Sequence, residues 1–322
     1  MGVTIDIVNL QPEQVLFAPS PLSELAEMLH VMSAPGHHPG LQGWATATAS
    51  SMPADLADRL DEASFLWQAT RADILLPAHP RATLVEELDA LDEMDDETFV
   101  AAALEISCMA QYHRGVPEPL TSETDRKNAL ERATARGPRE AAFADRLLCD
   151  PHGTRIWLRR LLEDCEQAFF ADAWKGVRTN LYSDARHKTE LLKRKGMAEA
   201  FTAMSPVLQP DETQARLTVD KLTDSSGTTG HLGLTCIPTA FGWPHLVVKL
   251  VPGWRPVIQY PITTPNLPAP MAIKLLQMRL EALAHPVRMR LCRALARGPH
   301  TTGELAGATG LTAPETSRHL AR

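Results

Sequence analysis

Two tetrads near the C-terminus follow one rule, and together they constrain the fold more than any other feature of the chain. Thr301-Thr302-Gly303-Glu304 and, eleven residues on, Thr312-Ala313-Pro314-Glu315 each place a glutamate three residues after a threonine. In such a capping box the hydroxyl accepts an early helical amide while the carboxylate reaches back to the cap amide, so each tetrad starts a helix. Pro314 is tolerated because the first turn needs no donor there. Between the boxes, the small Ala306 lets a second helix pack closely, and Gly310 permits a left-handed turn. Cap, ELA, TGL, cap, SRHL is a helix-turn-helix signature, in which the second helix lies in the DNA major groove. Each box alone fits any all-α domain; the combined spacing is what points to DNA.

Two further helices are expected upstream. Residues 273–284 form an amphipathic helix with Leu276, Leu280, Leu283 and Ala284 on one side. Pro286 then opens a helix over 286–297 that buries Val287, Leu291, Ala294 and Leu295 and stops at Gly298-Pro299.

The charge has to be split before it means anything. Over 322 residues, 32 basic and 39 acidic side chains give −7, which argues against nucleic acid. From Lys274 to Arg322, however, eight basic residues face three acidic ones, a local +5, which leaves −12 on the first 273 residues. An acidic body with a basic end module is the asymmetry a nucleic-acid contact produces.

The segment LEALAHPVRMRLCRALARGPHTTGELAGATGLTAPETSRHLAR resembles the helix-turn-helix head of the arsenical-resistance-repressor (ArsR) family of winged-helix regulators. The stretch VLFAPSPLSELAEMLH…HHPG…GWATA resembles an uncharacterised domain found ahead of such heads in actinobacterial regulators. The first likeness implies a dimeric repressor or activator on a pseudo-palindromic operator. By position, Thr312, Ala313, Pro314, Ser317 and Arg318 would face the groove, and Leu311 and Leu320 the helical core. Thr301, Thr302 and Arg322 complete the candidate DNA contacts. Three departures from the family follow. Thr309 and Thr316 stand where aliphatic residues are usual, which adds a hydroxyl to a valine-like shape. Residues 302–309 contain neither Cys nor His, so the family's metal-sensing pair has no counterpart there. The sequence ends at Arg322, before the β-wing of the family, so the head is expected to lack its wing and to bind DNA weakly.

The body is expected to be mainly helical, with the chain as a whole mainly α (α+β). Leu22, Leu25, Ala26, Leu29 and Met32 share one helical face after a Ser20-Pro21 start. Pro35-Gly36-His37-His38-Pro39-Gly40 breaks the chain. Helical patterns follow at about 54–69, 83–94, 97–113, 123–135, 139–149, 153–173 and 184–204. A strand at 3–7 and β-rich runs at 216–222, 232–237, 245–251 and 257–260 read as a small sheet or set of hairpins, whose prolines suggest edges and bulges. Pro261, Pro265, Pro268 and Pro270 form a stiff connector. The expected domains are 1–265, with the β-rich part at about 213–262, and 271–322.

Five scattered cysteines without a CxxC pair read as buried thiols. The N-terminus lacks a signal peptide's basic start, and no apolar run could span a bilayer, so a cytoplasmic location is expected. GxSxG, P-loop, HExxH and dinucleotide motifs are missing, and neither an enzyme nor a cofactor is expected. His37-His38 could be a ligand or metal contact but needs partners that nothing in the sequence fixes, so no metal is assigned and a plain loop is favoured. Glu86, Glu87, Asp89, Asp92, Glu93, Asp95, Asp96 and Glu97 read as a solvated helix face and turn, with an ion site or interaction surface as the rival. Arg155, Arg159 and Arg160, with Arg186, Lys188, Lys193, Arg194 and Lys195, either balance the acidic body or extend a DNA-facing surface. Phe241, Trp243, Trp254 and Tyr260 read as core, or as the lining of an effector pocket or dimer face. The expected function is a DNA-binding regulator, acting on a double-stranded operator as a homodimer with a possible small-molecule effector. The alternative is a ligand-binding or dimerisation module whose truncated head no longer binds DNA.

Overall fold

The computed structural model describes residues 2–68, 71–108, 116–221, 224–262, 278, 280–281, 283–295 and 300–321, leaving aside the side chains of 105–108. The chain divides into two compact units, residues 1–219 with 223–270, and 271–322 with 220–222. The connector at 263–270 and most of the helix expected at 273–284 lie outside the described residues.

The first unit is built around α1 (Pro21–Ser33). Ser20 caps it by accepting from Ser23 N, and Pro21 sits in the first turn, where its missing donor costs nothing. Eleven of its thirteen residues are buried, so α1 is a central helix rather than an amphipathic surface one. Around it lie α2 (Gln42–Ser51), α3 (Ala54–Ala63), α4 (Leu84–Asp92), α5 (Asp96–Cys108), α6 (Glu123–Arg136), α7 (Pro138–Cys149) and α8 (Pro151–Cys165). Trp67, Phe65, Phe99 and Phe170 join Leu25, Met28 and Leu29 in the core. A π-helical turn (Glu166–Phe170) runs from α8 straight into α9 (Ala171–Lys195). The two helices expected at 153–173 and 184–204 are therefore largely one continuous run. Gly176, which interrupts the apolar pattern, is accommodated within α9, and the real break comes at Gly196 (φ 89°), followed by α10 (Met197–Thr202).

The β-rich part is two four-stranded sheets rather than a set of hairpins, because the N-terminus supplies a strand to each. One has the order β3 (Leu208–Asp211), β4 (Arg216–Asp220), β1 (Gly2–Asp6), β5 (Ser225–Thr228); the other β2 (Val15–Phe17), β6 (Leu234–Thr239), β8 (Val257–Pro261), β7 (Val247–Lys249). β1 pairs with β5, and β2 with β6, in parallel. The second sheet is covered on both faces. Gln259 Nε2 donates to Ser23 Oγ of α1 at 2.6 Å, while the next residue, Tyr260, donates its hydroxyl to Asp184 Oδ2 of α9 at 2.7 Å. Neighbours on a strand point to opposite faces, so α1 and α9 lie on opposite sides of β8, which explains why β6 and β8 are buried at every position. The expectation that prolines mark edges fails in its simple form, since Pro238 and Pro261 lie in the two inner strands. β2 ends opposite Cys236, so Pro238 falls past that pairing, and Pro261 is the last residue of its strand. Both escape the cost of a missing donor inside a ladder.

Candidate functional site

In the second unit, α11 (Pro286–Leu295), α12 (Thr302–Thr309) and α13 (Ala313–Leu320) form the helix-turn-helix. Both capping boxes are made. Thr301 N donates to Glu304 Oε2 at 2.7 Å and Glu304 N to Thr301 Oγ1 at 3.3 Å; the Thr312–Glu315 pair repeats this at 2.9 and 3.4 Å. The cap hydrogen bonds hold both glutamates below the usual carboxylate range. Gly310 takes the left-handed conformation (φ 69°, ψ 27°), and Leu311 N closes the turn on Ala306 O at 3.0 Å.

Among the described residues of the head, Leu291, Leu305, Ala306 and Thr316 are buried. Leu320 is 43 % exposed, Leu295 41 %, and Leu311 only half-buried, so neither Leu311 nor Leu320 is the core residue expected of it, and α11 buries Leu291 fully and Val287 and Ala294 partly. In an eight-residue helix only one position is completely enclosed, and Thr316 occupies it.

Thr301, Thr302, Thr312, Ala313, Pro314, Ser317 and Arg318 are all exposed, as a groove-facing surface requires; Arg322 lies outside the described residues. They differ in what they can offer. The hydroxyls of Thr301 and Thr312 also donate to their own glutamates, at 2.9 and 2.7 Å, so they are committed to the caps. What remains for a base edge is the methyl groups of Thr312 and Ala313, suited to thymine, with the hydroxyl of Ser317 and the guanidinium of Arg318. Arg290 and Arg293 are exposed on α11.

Within the first unit, the acidic run is more structural than a solvated face. Glu87 is buried and accepts from Ser20 Oγ (2.9 Å), Leu22 N (2.7 Å) and Arg81 N (2.9 Å), while burial pushes its carboxyl up to about 7. Arg159 bridges Asp89, Asp92 and Glu163, and Arg155 pairs with Asp96 at 2.6 Å. These arginines thus serve the acidic body. A cavity of about 430 Å³ opens between α1, α4 and β8, with Leu22, Leu91, Met94, Trp254 and Val257 among its apolar walls. Its polar side includes Arg255 and the buried Lys249–Asp73 pair, 3.2 Å apart. Of the four aromatics, Phe241 and Tyr260 are buried, and Trp254 lines the cavity.

His38 is not a plain loop residue. It is fully buried, and its ring lies 5.1 Å from that of His30 on α1 and 5.0 Å from that of His245 in the β6–β7 loop. One nitrogen from each of the three falls within 4.8 Å of the others. His30 Nδ1 is 2.9 Å from Trp67 O and His38 Nδ1 is 2.6 Å from Trp243 O, while the Nε2 atoms of His30, His38 and His245 are all buried and have no hydrogen-bond partner among the described residues. Burial, then the charge of Arg71, drives His30 and His245 down to about 3, and burial lowers His38 as well. Arg71 is itself bound by Glu27, donating from Nε to Oε1 at 2.7 Å. Nothing in the sequence ties His30 or His245 to His38 beyond the spacing of His30 to His37-His38, about two helical turns.

A basic helix-turn-helix and an acidic, mainly helical α+β body define a helix-turn-helix protein with a larger N-terminal domain. Residues 1–266 match DUF5937, a family of unknown function, and the chain belongs to that family. Residues 283–322 match the helix-turn-helix domain family. No curated protein and no solved structure gives a significant match. Among the described residues, no helix is long and apolar enough to cross a membrane.

Proposed function

We propose that the chain is a sequence-specific, DNA-binding transcriptional regulator of ArsR type, a regulator rather than a catalyst, working in the cytoplasm as a homodimer on a double-stranded operator. The observation that carries this reading is the pair of helices α12 and α13, each started by a complete capping box, with Ala313, Pro314, Ser317 and Arg318 on an exposed face of α13 where they can meet base edges. The local charge of the module supports it, since phosphate neutralisation supplies most non-specific affinity. Dimerisation is supported by exposed Met278, Leu280 and Met289, more apolar surface than a small head alone accounts for. Effector response is supported by the cavity beside α1, whose apolar walls and charged rim suit a small, mostly apolar ligand carrying a polar group.

The test is selection of genomic DNA fragments on the immobilised full chain, followed by binding measurements on the enriched site. One enriched site, bound about tenfold or more weakly by Arg318→Ala, a loss in line with roughly 1–3 kcal/mol for a base contact, is the expected result. No enrichment at low salt rejects the reading.

A further inference from the structure

We propose that His30, His38 and His245 form a binding site for one divalent transition-metal ion of the zinc class, with a fourth position left open. The site lies wholly in the first unit and does not depend on the head binding DNA.

Three observations meet here. The first is convergence: one nitrogen from each ring falls within 4.8 Å of the other two. Ligand nitrogens around a tetrahedral zinc, at roughly 2.0–2.1 Å from the metal, sit about 3.4 Å apart, so small ring rotations close the set. The second is tautomer control. His30 and His38 direct Nδ1 at the backbone carbonyls of Trp67 and Trp243. A carbonyl can only accept, so the proton is fixed on Nδ1 and the lone pair on Nε2, the outer arrangement that orients histidine ligands in metal sites. The third is that all three Nε2 atoms are buried without a partner. A lone buried polar atom costs about 1–3 kcal/mol; three of them in one histidine cluster are explained together by a shared cation.

The donor set selects the ion. Imidazole suits zinc, copper, nickel and iron, whereas calcium and magnesium require oxygen donors, and the buried carboxylate whose charge acts on His38, Glu27, is already bound to Arg71. His37 is exposed, its ring 5.9 Å from that of His245 and 6.1 Å from that of His30, at the solvent edge of the cluster.

The test uses the full chain, stripped of metal and titrated with Zn²⁺, with Co²⁺ as a spectroscopic probe and Mg²⁺ as a control. One equivalent of Zn²⁺, visible absorption bands of a four-coordinate Co²⁺ site and no Mg²⁺ uptake are expected. His38→Ala and His245→Gln should each weaken Zn²⁺ binding about tenfold or more, while His152→Ala, at an exposed position on α8, leaves it unchanged. Should a variant fail to fold, X-ray absorption at the zinc edge of the native chain decides, with about three imidazoles expected around the metal. Absence of Zn²⁺ uptake, uptake unchanged in both folded variants, or a first shell dominated by sulfur or carboxylate oxygen would overturn the proposal.

Discussion

His38 Nδ1 lies 2.6 Å from the carbonyl oxygen of Trp243, joining residues 205 positions apart in sequence. This contact locks the turn after α1 against the β6–β7 loop that carries His245. Removing the imidazole leaves a carbonyl unpaired and opens space in the interior. His38→Ala should therefore lower stability by about 1–3 kcal/mol, read as an earlier urea midpoint with little change in slope. An unchanged midpoint would mean the two loops are held by other contacts.

Arg71 and Glu27 form a buried bidentate ion pair, 3 % and 1 % exposed, one helical turn before His30. Removing one partner strands the other charge. Arg71→Met should cost about 3–5 kcal/mol, and adding Glu27→Leu should restore much of that loss. A double-mutant cycle of thermal unfolding measures both; additive losses would contradict the pairing.

Thr316 is fully buried and its hydroxyl has no partner among the described residues, whereas Thr309 Oγ1 donates to Leu305 O at 2.6 Å. Valine keeps the shape and removes the hydroxyl. Thr316→Val should stabilise the head by about 1 kcal/mol, slowing amide exchange in α12 and α13 about fivefold. Thr309→Val, which forfeits a bond, should not. Faster exchange in Thr316→Val would show that the hydroxyl is satisfied after all.

Burial raises Glu24 to about 7, against two backbone donors, Ala240 N at 2.9 Å and Phe241 N at 3.2 Å. A folded-state pKa above the unfolded value means the native state binds the proton more tightly. The contribution is fully present below the unfolded pKa near 4.5 and is lost as pH rises through about 7. The slope in that window approaches about 1.4 kcal/mol per pH unit. Unfolding free energies from pH 5 to pH 8 should fall more steeply for the native chain than for Glu24→Gln; parallel profiles would remove Glu24 as the cause.

What could be read in the sequence was local. Both capping boxes, Gly310 and the Ser20-Pro21 start depend on residues within four positions of one another, and they form as expected. The sheets could not be read that way, because β2 pairs with residues 234–236 and β1 with 225–228, and nothing in Val15–Phe17 names a partner so distant. Leu320 takes a core role only by position in the family it resembles, and the eight-residue helix is too short to enclose it. The acidic run looked solvated because its counter-ions, Arg155 and Arg159, lie about sixty residues downstream. The histidine cluster was hidden for the same reason. Its members come from a helix, a turn and a β loop, and only packing brings them together.

The most direct test of the account is the salt dependence of DNA binding by the full chain on a site enriched from the genome. If α13 reads bases while exposed Arg290 and Arg293 meet phosphates, log K should fall linearly with log salt, by about 0.9 for each phosphate contact. Arg293→Ala should flatten that slope by about one contact without altering sequence preference, and Arg318→Ala should weaken the preferred site selectively. Binding that ignores salt, or that is the same on enriched and random DNA, would contradict the assignment of this chain as a DNA-reading regulator.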